Sequence, residues 1–527
     1  MGIVPYDMYP PQGERSVTLV LTLVLALVLR TVVLRILVLI LLSVLIGMLC
    51  ILICILLFIL GHANTSFVLP TTIILLRREN IPMQTFFDKM KDLLGDDYPL
   101  YLEESDKPPY KGIRVNTLKI QPDILVPMLD FVGEQTPFAE EGYYVTREHL
   151  GKHPLHHAGA FYVQEPSAMS AVTALGVEKG DKVLDLCAAP GSKSTQIGAR
   201  LDGTGLLWAN EIIRPRAHIL LSNIERMGIR NSVVSNMSPE SLCTRLEGFF
   251  DKVLVDAPCS GEGMFRKDWD AIYEWSPEHS ASCAVRQKAI LNSAKKALKK
   301  GGVMVYSTCT FSKEENEDVI SSFLDENPDF ELIDTGCTFG VASMEYCRRI
   351  YPFHGGEGHF VAKLRKNSDS EDKGGVFSYQ APTKDQQKMI SDFMEDIIRE
   401  PEQYGNFTVI NDRILSYPDL SLLPDFEGLN ILRTGVKLGD FKTNRIEPHH
   451  NLATCTKPDD FNRRLKLELE DELITRYIRG EVIEIDTWIK GWSAVAVEGV
   501  TVGLGKASNG FLKNKYPKGL RTLSWRT

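Results

Sequence analysis

Two cysteines stand where strands are expected to end: Cys259 in DAPCSGEGMFRK (256–267) and Cys309 in YSTCTF (306–311). A free cysteine taken singly is most often a small buried hydrophobe. Two thiols at one rim of a sheet also allow covalent chemistry. Carbon 5 of a pyrimidine is too weak a nucleophile to take a methyl group from a sulfonium until something adds at carbon 6 and makes the ring enamine-like. A thiolate is suited to that addition, being strongly nucleophilic even when little of it is ionised. Asp256, three residues before Cys259, is placed to stabilise charge developing near ring N3. Proton removal at carbon 5 and elimination then release the product, a step that a second thiol or base would help. Methylation of an amino group needs no thiol, because the nitrogen attacks directly.

A third stretch, DLCAAPGSKSTQIG (185–198), follows an expected strand and opens a helix. That is the place at the carboxyl end of a first strand where open α/β sheets bind ligands. Cys187, Ala188, Ala189 and Gly191 allow close backbone approach, and a helix N-terminus offers amides to a carboxylate. The loop is not GxGxxG, which disfavours a dinucleotide. Glu211 ends the next expected strand, where an acid takes ribose hydroxyls. A carboxylate loop and a ribose acid together suggest S-adenosylmethionine, with another nucleoside ligand as the alternative.

The elements that must position these groups are short β-branched runs: KVLDL (182–186), GLLWAN (205–210), RNSVVS (230–235), DKVLVDAP (251–258) and GGVMVYST (301–308). Helical stretches at 214–227 and 279–300 lie between them, so the class is α/β with a parallel sheet covered on both faces. Upstream, MQTFFDKMKDLLG (83–95) spaces Phe86, Phe87, Met90, Leu93 and Leu94 as an amphipathic opening helix, and KGIRVNTLKI alternates like a strand. A small mixed region is expected over 83–160, the main domain over 161–366, a polar linker over 367–375, a first C-terminal αβ module over 376–433 with a helix near 384–399, and a β-rich module over 434–527. Between 499 and 527 there are six basic residues (Lys506, Lys513, Lys515, Lys518, Arg521, Arg526), no acidic one, and Phe511, Tyr516 and Trp525 among them. Such a surface suits phosphate contacts and base stacking, although a solvated face of a small β domain has the same composition.

The net charge of −9 does not by itself suggest a nucleic-acid binder, but a whole-chain sum hides local patches. Ten cysteines at irregular positions without CxxC spacing argue for unpaired thiols in a reducing compartment and against structural zinc.

On these residues the chain resembles the Sun family of RNA cytosine-5 methyltransferases, above all its ribosomal small-subunit methyltransferase F branch. The matching stretches are RVNTLK (114–119), FYVQEPSAM (161–169), DLCAAPGSK, DAPCSGEG, YSTCTF and GGEGHFVAKLR (355–365), in that order. The resemblance implies a Rossmann-like class I methyltransferase domain, an N-terminal α+β RNA-binding region, and C-terminal α/β and PUA-like β modules. It implies Cys309 as the nucleophile and Cys259 as the aid to product release. Cys187, Ala188, Ala189, Pro190, Gly191, Ser192 and Lys193, with Glu211 and Asp256, would line the S-adenosylmethionine pocket, and Lys193 would also lie near the base. Asn236 stands where family members often carry an aspartate for the adenine amino group; its amide oxygen can still accept that hydrogen bond. Gly191, Ser192, Lys193 replaces a motif in which a second glycine is more usual. Arg266 and Lys267 are expected to add phosphate contacts. The implied partner is RNA, 16S rRNA or the small ribosomal subunit, and not DNA, bound by a cytoplasmic monomer that needs no metal. His156, His157, His449 and His450 are then surface or core residues. The alternatives are the same chemistry on tRNA, or an RNA-binding ribosome assembly factor without turnover.

Outside the resemblance, 36–61 is twenty-six residues without a charge, long enough for a tilted membrane span. Arg15, Arg30 and Arg35 precede it and Arg77, Arg78, Lys89 and Lys91 follow, so the charge rule gives no orientation. A core helix is disfavoured because the apolar residues cover every face. The favoured expectation is that 1–82 is upstream sequence from an over-extended gene start, since Arg77, Arg78 and Glu79 in LRRENIPM can have purine-rich codons like a ribosome-binding site before Met83. If 1–82 is translated, 36–61 would attach the protein to a membrane.

Overall fold

The computed structural model describes residues 81–522, apart from Trp269, residues 370–372 and 374, and Pro418. The apolar segment 36–61, Trp525 and Arg526 lie outside the described residues. Among the described residues no helix is long and apolar enough to cross a membrane.

Helix α1 (Ile81–Leu94) forms where expected, because Phe86, Met90 and Leu94 recur at four-residue spacing and are buried together with Met83. They pack on Phe265, Trp275 and Phe311, with Phe86 edge-on to Phe265 at 5.0 Å and to Trp275 at 5.8 Å. Phe265 and Phe311 follow the two strand-end cysteines, so α1 is part of the support for both loops.

Strands β1 (Gly112–Val115), β2 (Val132–Gln135), β3 (Gly142–Val145) and β4 (Phe161–Val163) form an antiparallel sheet in the order β2-β3-β1-β4. The sheet runs past the expected boundary at residue 160, because β4 pairs with β1.

The five expected strands are all present: β5 (Lys182–Asp185), β6 (Leu206–Asn210), β7 (Ser232–Ser235), β8 (Phe250–Asp256) and β9 (Leu298–Thr308). They are parallel in the order β7-β6-β5-β8-β9. Connections from β5 run to one side and from β8 to the other, so the crevice lies at the carboxyl ends of β5 and β8. Helices α2 (Ser192–Leu201), α3 (Arg214–Met227) and α4 (Pro277–Ala297) belong to the crossovers, and two apolar clusters bury the two faces of the sheet. Strands β10 (Phe330–Ile333), β11 (Val341–Ala342), β12 (Arg348–Ile350) and β13 (His359–Lys366) extend it, β13 running antiparallel to β9.

Beyond the linker, β14 (Phe407–Ile410), β15 (Arg413–Ser416), β17 (Val436–Lys442) and β18 (Arg445–Pro448) make one sheet, while β16 (Ile431–Thr434) leaves it to pair antiparallel with β7. The expected boundary at 433/434 therefore falls among strands of a single module. Which partner a short strand takes depends on tertiary packing, and its own residues do not reveal it. The last sheet holds β19 (Arg464–Leu467), β20 (Ile483–Glu484), β21 (Gly491–Val497), β22 (Val500–Ser508) and β23 (Phe511–Asn514). Its core is continuous with that of the N-terminal sheet: Ile113, Leu155 and Phe161 pack in one cluster with Tyr477, Val502 and Tyr516. Tyr516 is thus a core residue, its hydroxyl 2.8 Å from His157 Nδ1, and the stacking surface expected of it is corrected accordingly. Phe511, which opens β23, is half exposed.

Candidate active site

The loop after β5 is held from three sides. Buried Asp185 accepts a hydrogen bond from Ser194 Oγ at 2.6 Å, Ala188 N–H donates to the Asn210 carbonyl at 2.9 Å, and Arg114 donates to the Ser192 carbonyl, Gln164 and Thr195. Burial raises the Asp185 carboxyl to about 7. Gly191 has φ of +111°, and a Cβ there would meet Leu220 at 3.2 Å, so both backbone and space call for glycine. No side chain caps α2, which leaves its first-turn amides for a ligand carboxylate.

Glu211, 3% exposed, accepts from Ile213 N–H, and Arg216 links it to the loop by donating to the Ala189 carbonyl at 2.8 Å. Asn236 spends its amide nitrogen on the carbonyls of Glu211 (2.6 Å) and Ile212 (2.9 Å). Any contact it makes to a ligand therefore falls to its oxygen. The Cys187–Lys193 loop, Glu211 and Asn236 thus share one edge of the crevice, with Asp256 on its other side.

Asp256 ends β8 half-buried, with one carboxylate oxygen accepting from Ser307 Oγ at 2.8 Å and the other from Lys193 Nζ at 2.8 Å. Burial alone would raise its carboxyl, but the Lys193 ammonium first, with the hydrogen bond from Ser307, holds it below the usual aspartate range. Burial likewise opposes charge on Lys193, and Asp256 outweighs it and raises the ammonium above its ordinary value.

Cys259 Sγ and Cys309 Sγ lie 3.2 Å apart. Their loops are clipped together: Gly263 N–H donates to the Cys309 carbonyl at 2.8 Å, Ser260 Oγ meets Thr310 Oγ1 at 2.8 Å, and buried Glu262 accepts from Phe311 N–H, Trp275 Nε1 and Lys89 Nζ. Glu315 fastens the same loop from below, accepting from Ser260 N–H and Gln287. The hydrogen bond to Cys309, with burial, pushes the Cys259 thiol well above its ordinary value.

A cleft of about 840 Å³ opens over this group, lined among others by Tyr110, Glu165, Lys193, Asp256, Cys309 and His359. Cys309 lines the cleft, and Cys259 is not among its lining residues. Lys267 is exposed at the rim, but Arg266, expected to contact phosphate with it, is buried in an ion pair with Glu357 at 3.2 Å and donates to the carbonyls of Lys107 and Pro108. The RVNTLK residues are clamps in the same way. Asn116 donates to the Gly159 and Met227 carbonyls, and Lys119, lowered by burial to about 7, donates to those of Ala158 and Arg226. Sequence reasoning passed over Ser307, Glu262 and His359. The only signal for His359 was its place directly after the glycines of GGEGHF. Among the described residues no group of three or more His, Cys, Asp or Glu side chains is arranged to hold a metal ion.

Four family models match the chain in succession: N-terminal domain of 16S rRNA methyltransferase RsmF at residues 82–166, 16S rRNA methyltransferase RsmB/F at 172–365, RsmF rRNA methyltransferase first C-terminal domain at 392–455, and methyltransferase RsmF PUA domain at 464–522. The chain is 34% identical over 464 residues to Ribosomal RNA small subunit methyltransferase F of Vibrio vulnificus (strain YJ016), covering 83% of this chain and 97% of that protein. It is 31% identical over 481 residues to the protein of the same name from Klebsiella pneumoniae (strain 342), covering 87% of this chain and 98% of that one. Among solved structures, NSun6 from Pyrococcus horikoshii with SFG shares the fold, with a TM-score of 0.50 and 24% identity over 55% of this chain and 99% of that one.

Proposed function

This chain belongs to the ribosomal RNA small subunit methyltransferase F family, and from that premise we propose how its residues carry out S-adenosylmethionine-dependent methylation of a 16S rRNA cytosine at carbon 5. The observation that carries the reading is the pair of thiols 3.2 Å apart beside the Lys193–Asp256 ion pair.

The Cys187–Lys193 loop and the first turn of α2 receive the amino-acid end of the methyl donor, Glu211 the ribose, and Asn236 the adenine. The small residues and uncapped amides fit such a ligand. When bound, it supplies an electrophilic methyl on a sulfonium. Cys309 adds as thiolate to carbon 6 of the cytosine; a C–S bond forms, the 5,6 double bond gives up its electron pair, and the ring takes a proton at N3 that balances the charge. Asp256 accepts from that N3–H, and Lys193, hydrogen-bonded to the carboxylate, is the nearest acid on the chain. After carbon 5 has taken the methyl group, its proton leaves to a base, the C5–H electron pair rebuilds the 5,6 double bond, the C–S pair departs with sulfur to restore the thiolate of Cys309, and the proton borrowed at N3 returns to Lys193. Cys259, kept protonated, steadies the departing thiolate by a hydrogen bond from its S–H, which it retains.

The N-terminal sheet and the last module, joined by one core, bind the RNA beside the cleft, with Lys267 at its rim. The domains act as one monomer on rRNA in the cytoplasm, without a metal. Methyl transfer to 16S rRNA by the chain from Met83 tests this: Cys309→Ser forms no 5-methylcytosine, and Cys259→Ser accumulates a covalent RNA adduct. Wild-type protein that leaves every cytosine unmodified contradicts the reading.

A further inference from the structure

His359 opens β13 on the floor of the cleft and is 3% exposed. Its Nδ1 lies 3.2 Å from the Gly358 carbonyl oxygen, which can only accept, so Nδ1 carries the hydrogen and Nε2 is left with its lone pair. Nε2 is buried and has no hydrogen-bond partner in the protein, a costly arrangement unless something in the cleft completes it. Its position is fixed from behind. Gly358 has φ of +139°, and a Cβ there would strike the Phe311 ring at 2.5 Å, while Glu357 N–H donates to Glu165 at 2.9 Å.

Asp256 Oδ1 is 3.9 Å from Nε2. Two acceptors side by side, a carboxylate and a bare imidazole nitrogen, face the same space as Cys309. The Watson–Crick edge of a cytosine adduct protonated at N3 presents two donors side by side, N3–H and the exocyclic N4–H. Resting on the methyltransferase reading above, we propose that Nε2 of His359 accepts a hydrogen bond from the exocyclic amino group of the target cytosine, making His359 a specificity-determining residue that admits cytosine and rejects uracil. Uracil places its O4, an acceptor, against that lone pair and leaves both unsatisfied. Burial and the neighbouring Lys193 ammonium keep the imidazole neutral, lowering its pKa to about 4, so the acceptor persists at neutral pH.

The test is a cycle between protein and base. A short 16S rRNA fragment centred on the cytosine that the full-length wild-type protein methylates is made with cytosine, pyrimidin-2-one (which lacks the amino group) or uracil at that position. The ratio of kcat/KM for cytosine over pyrimidin-2-one is compared between wild type and His359→Phe. The loss of one hydrogen bond predicts a fall in that ratio of roughly tenfold in His359→Phe. A defect confined to folding lowers both substrates equally and leaves the ratio unchanged, which overturns the assignment. His359→Gln, which keeps an acceptor, should hold the ratio within about threefold of wild type; a Gln variant that loses discrimination as fully as Phe also overturns it. Wild-type protein that methylates no cytosine in intact 16S rRNA refutes the methyltransferase reading itself, and the inference with it.

Discussion

The Lys193–Asp256 pair decides the charge state of the site. Asp256 is ionised because Lys193 offsets the burial that would otherwise protonate it. Replacing Lys193 with methionine removes the offset and leaves burial dominant, so the carboxyl rises. The acid limb of the kcat/KM profile should then move up by about one pH unit or more. A profile with an unmoved acid limb shows that Asp256 does not titrate in the reaction. The linkage to stability has two signs. The depressed Asp256 contributes stability that is present above its ordinary value of 3.8 and lost as pH falls through its lower folded value, while the raised Lys193 contributes below 10.5 and loses it as pH rises past its higher folded value. At this scale much was legible. Asp256, Cys259 and Cys309 could be placed because each follows a β-branched run, and strand ends in such sheets converge. His359 could not, because it lies at the start of an antiparallel strand and shows its role only once β13 is seated beside β9. Arg266 misled for a related reason: an arginine near a site reads as a phosphate contact until its buried partner Glu357 is seen.

The two cysteine loops, as elements, depend on backbone contacts that allow no side chain at one point. A Cβ on Gly263 would sit 2.9 Å from the Cys309 carbonyl oxygen and 3.0 Å from that of Gly358. Gly263→Ala should therefore separate the loops and move Cys309 off its line to the base. The expectation is a fall in kcat of about 100-fold, as misplacement near 1 Å produces, with a loss of stability of only about 1–3 kcal/mol. Kinetics and thermal unfolding check it; kcat within twofold of wild type shows that the clip does not set the geometry. The five parallel strands, α1 and α3 were readable from periodicity. The pairing of β16 with β7 was not, since four residues from another module carry no mark of the sheet they will join.

The whole molecule buries neutral histidines in places far apart. His153 and His157 in the core shared by the N-terminal and last modules, and His359 in the cleft, are each lowered from 6.5 to about 4, burial being the chief cause. Their unfolded forms bind protons that the folded protein refuses. Stability contributed by each neutral ring is complete above 6.5 and lost as pH falls toward 4, by up to about 1.4 kcal/mol per pH unit per histidine. Urea unfolding should show a midpoint that drops steeply between pH 6.5 and 4.5, and a flat midpoint over that range contradicts the buried neutral assignment. The shared core behind these rings was illegible in the chain. Tyr516 and the basic residues around it gave the composition of an RNA surface, yet the ring itself closes the joint between the two ends of the described chain.

In the proposed reaction Cys309 makes the bond to the base and Cys259 releases it. Its most direct test is mass spectrometry of the complex formed by Cys259→Ser with 16S rRNA and S-adenosylmethionine, digested with protease and nuclease. The expected product is a peptide carrying a methylated cytidine nucleotide on Cys309, absent from the Cys259→Ser, Cys309→Ser double variant. A nucleotide attached to any other residue, or 5-methylcytosine made by Cys309→Ser alone, contradicts it.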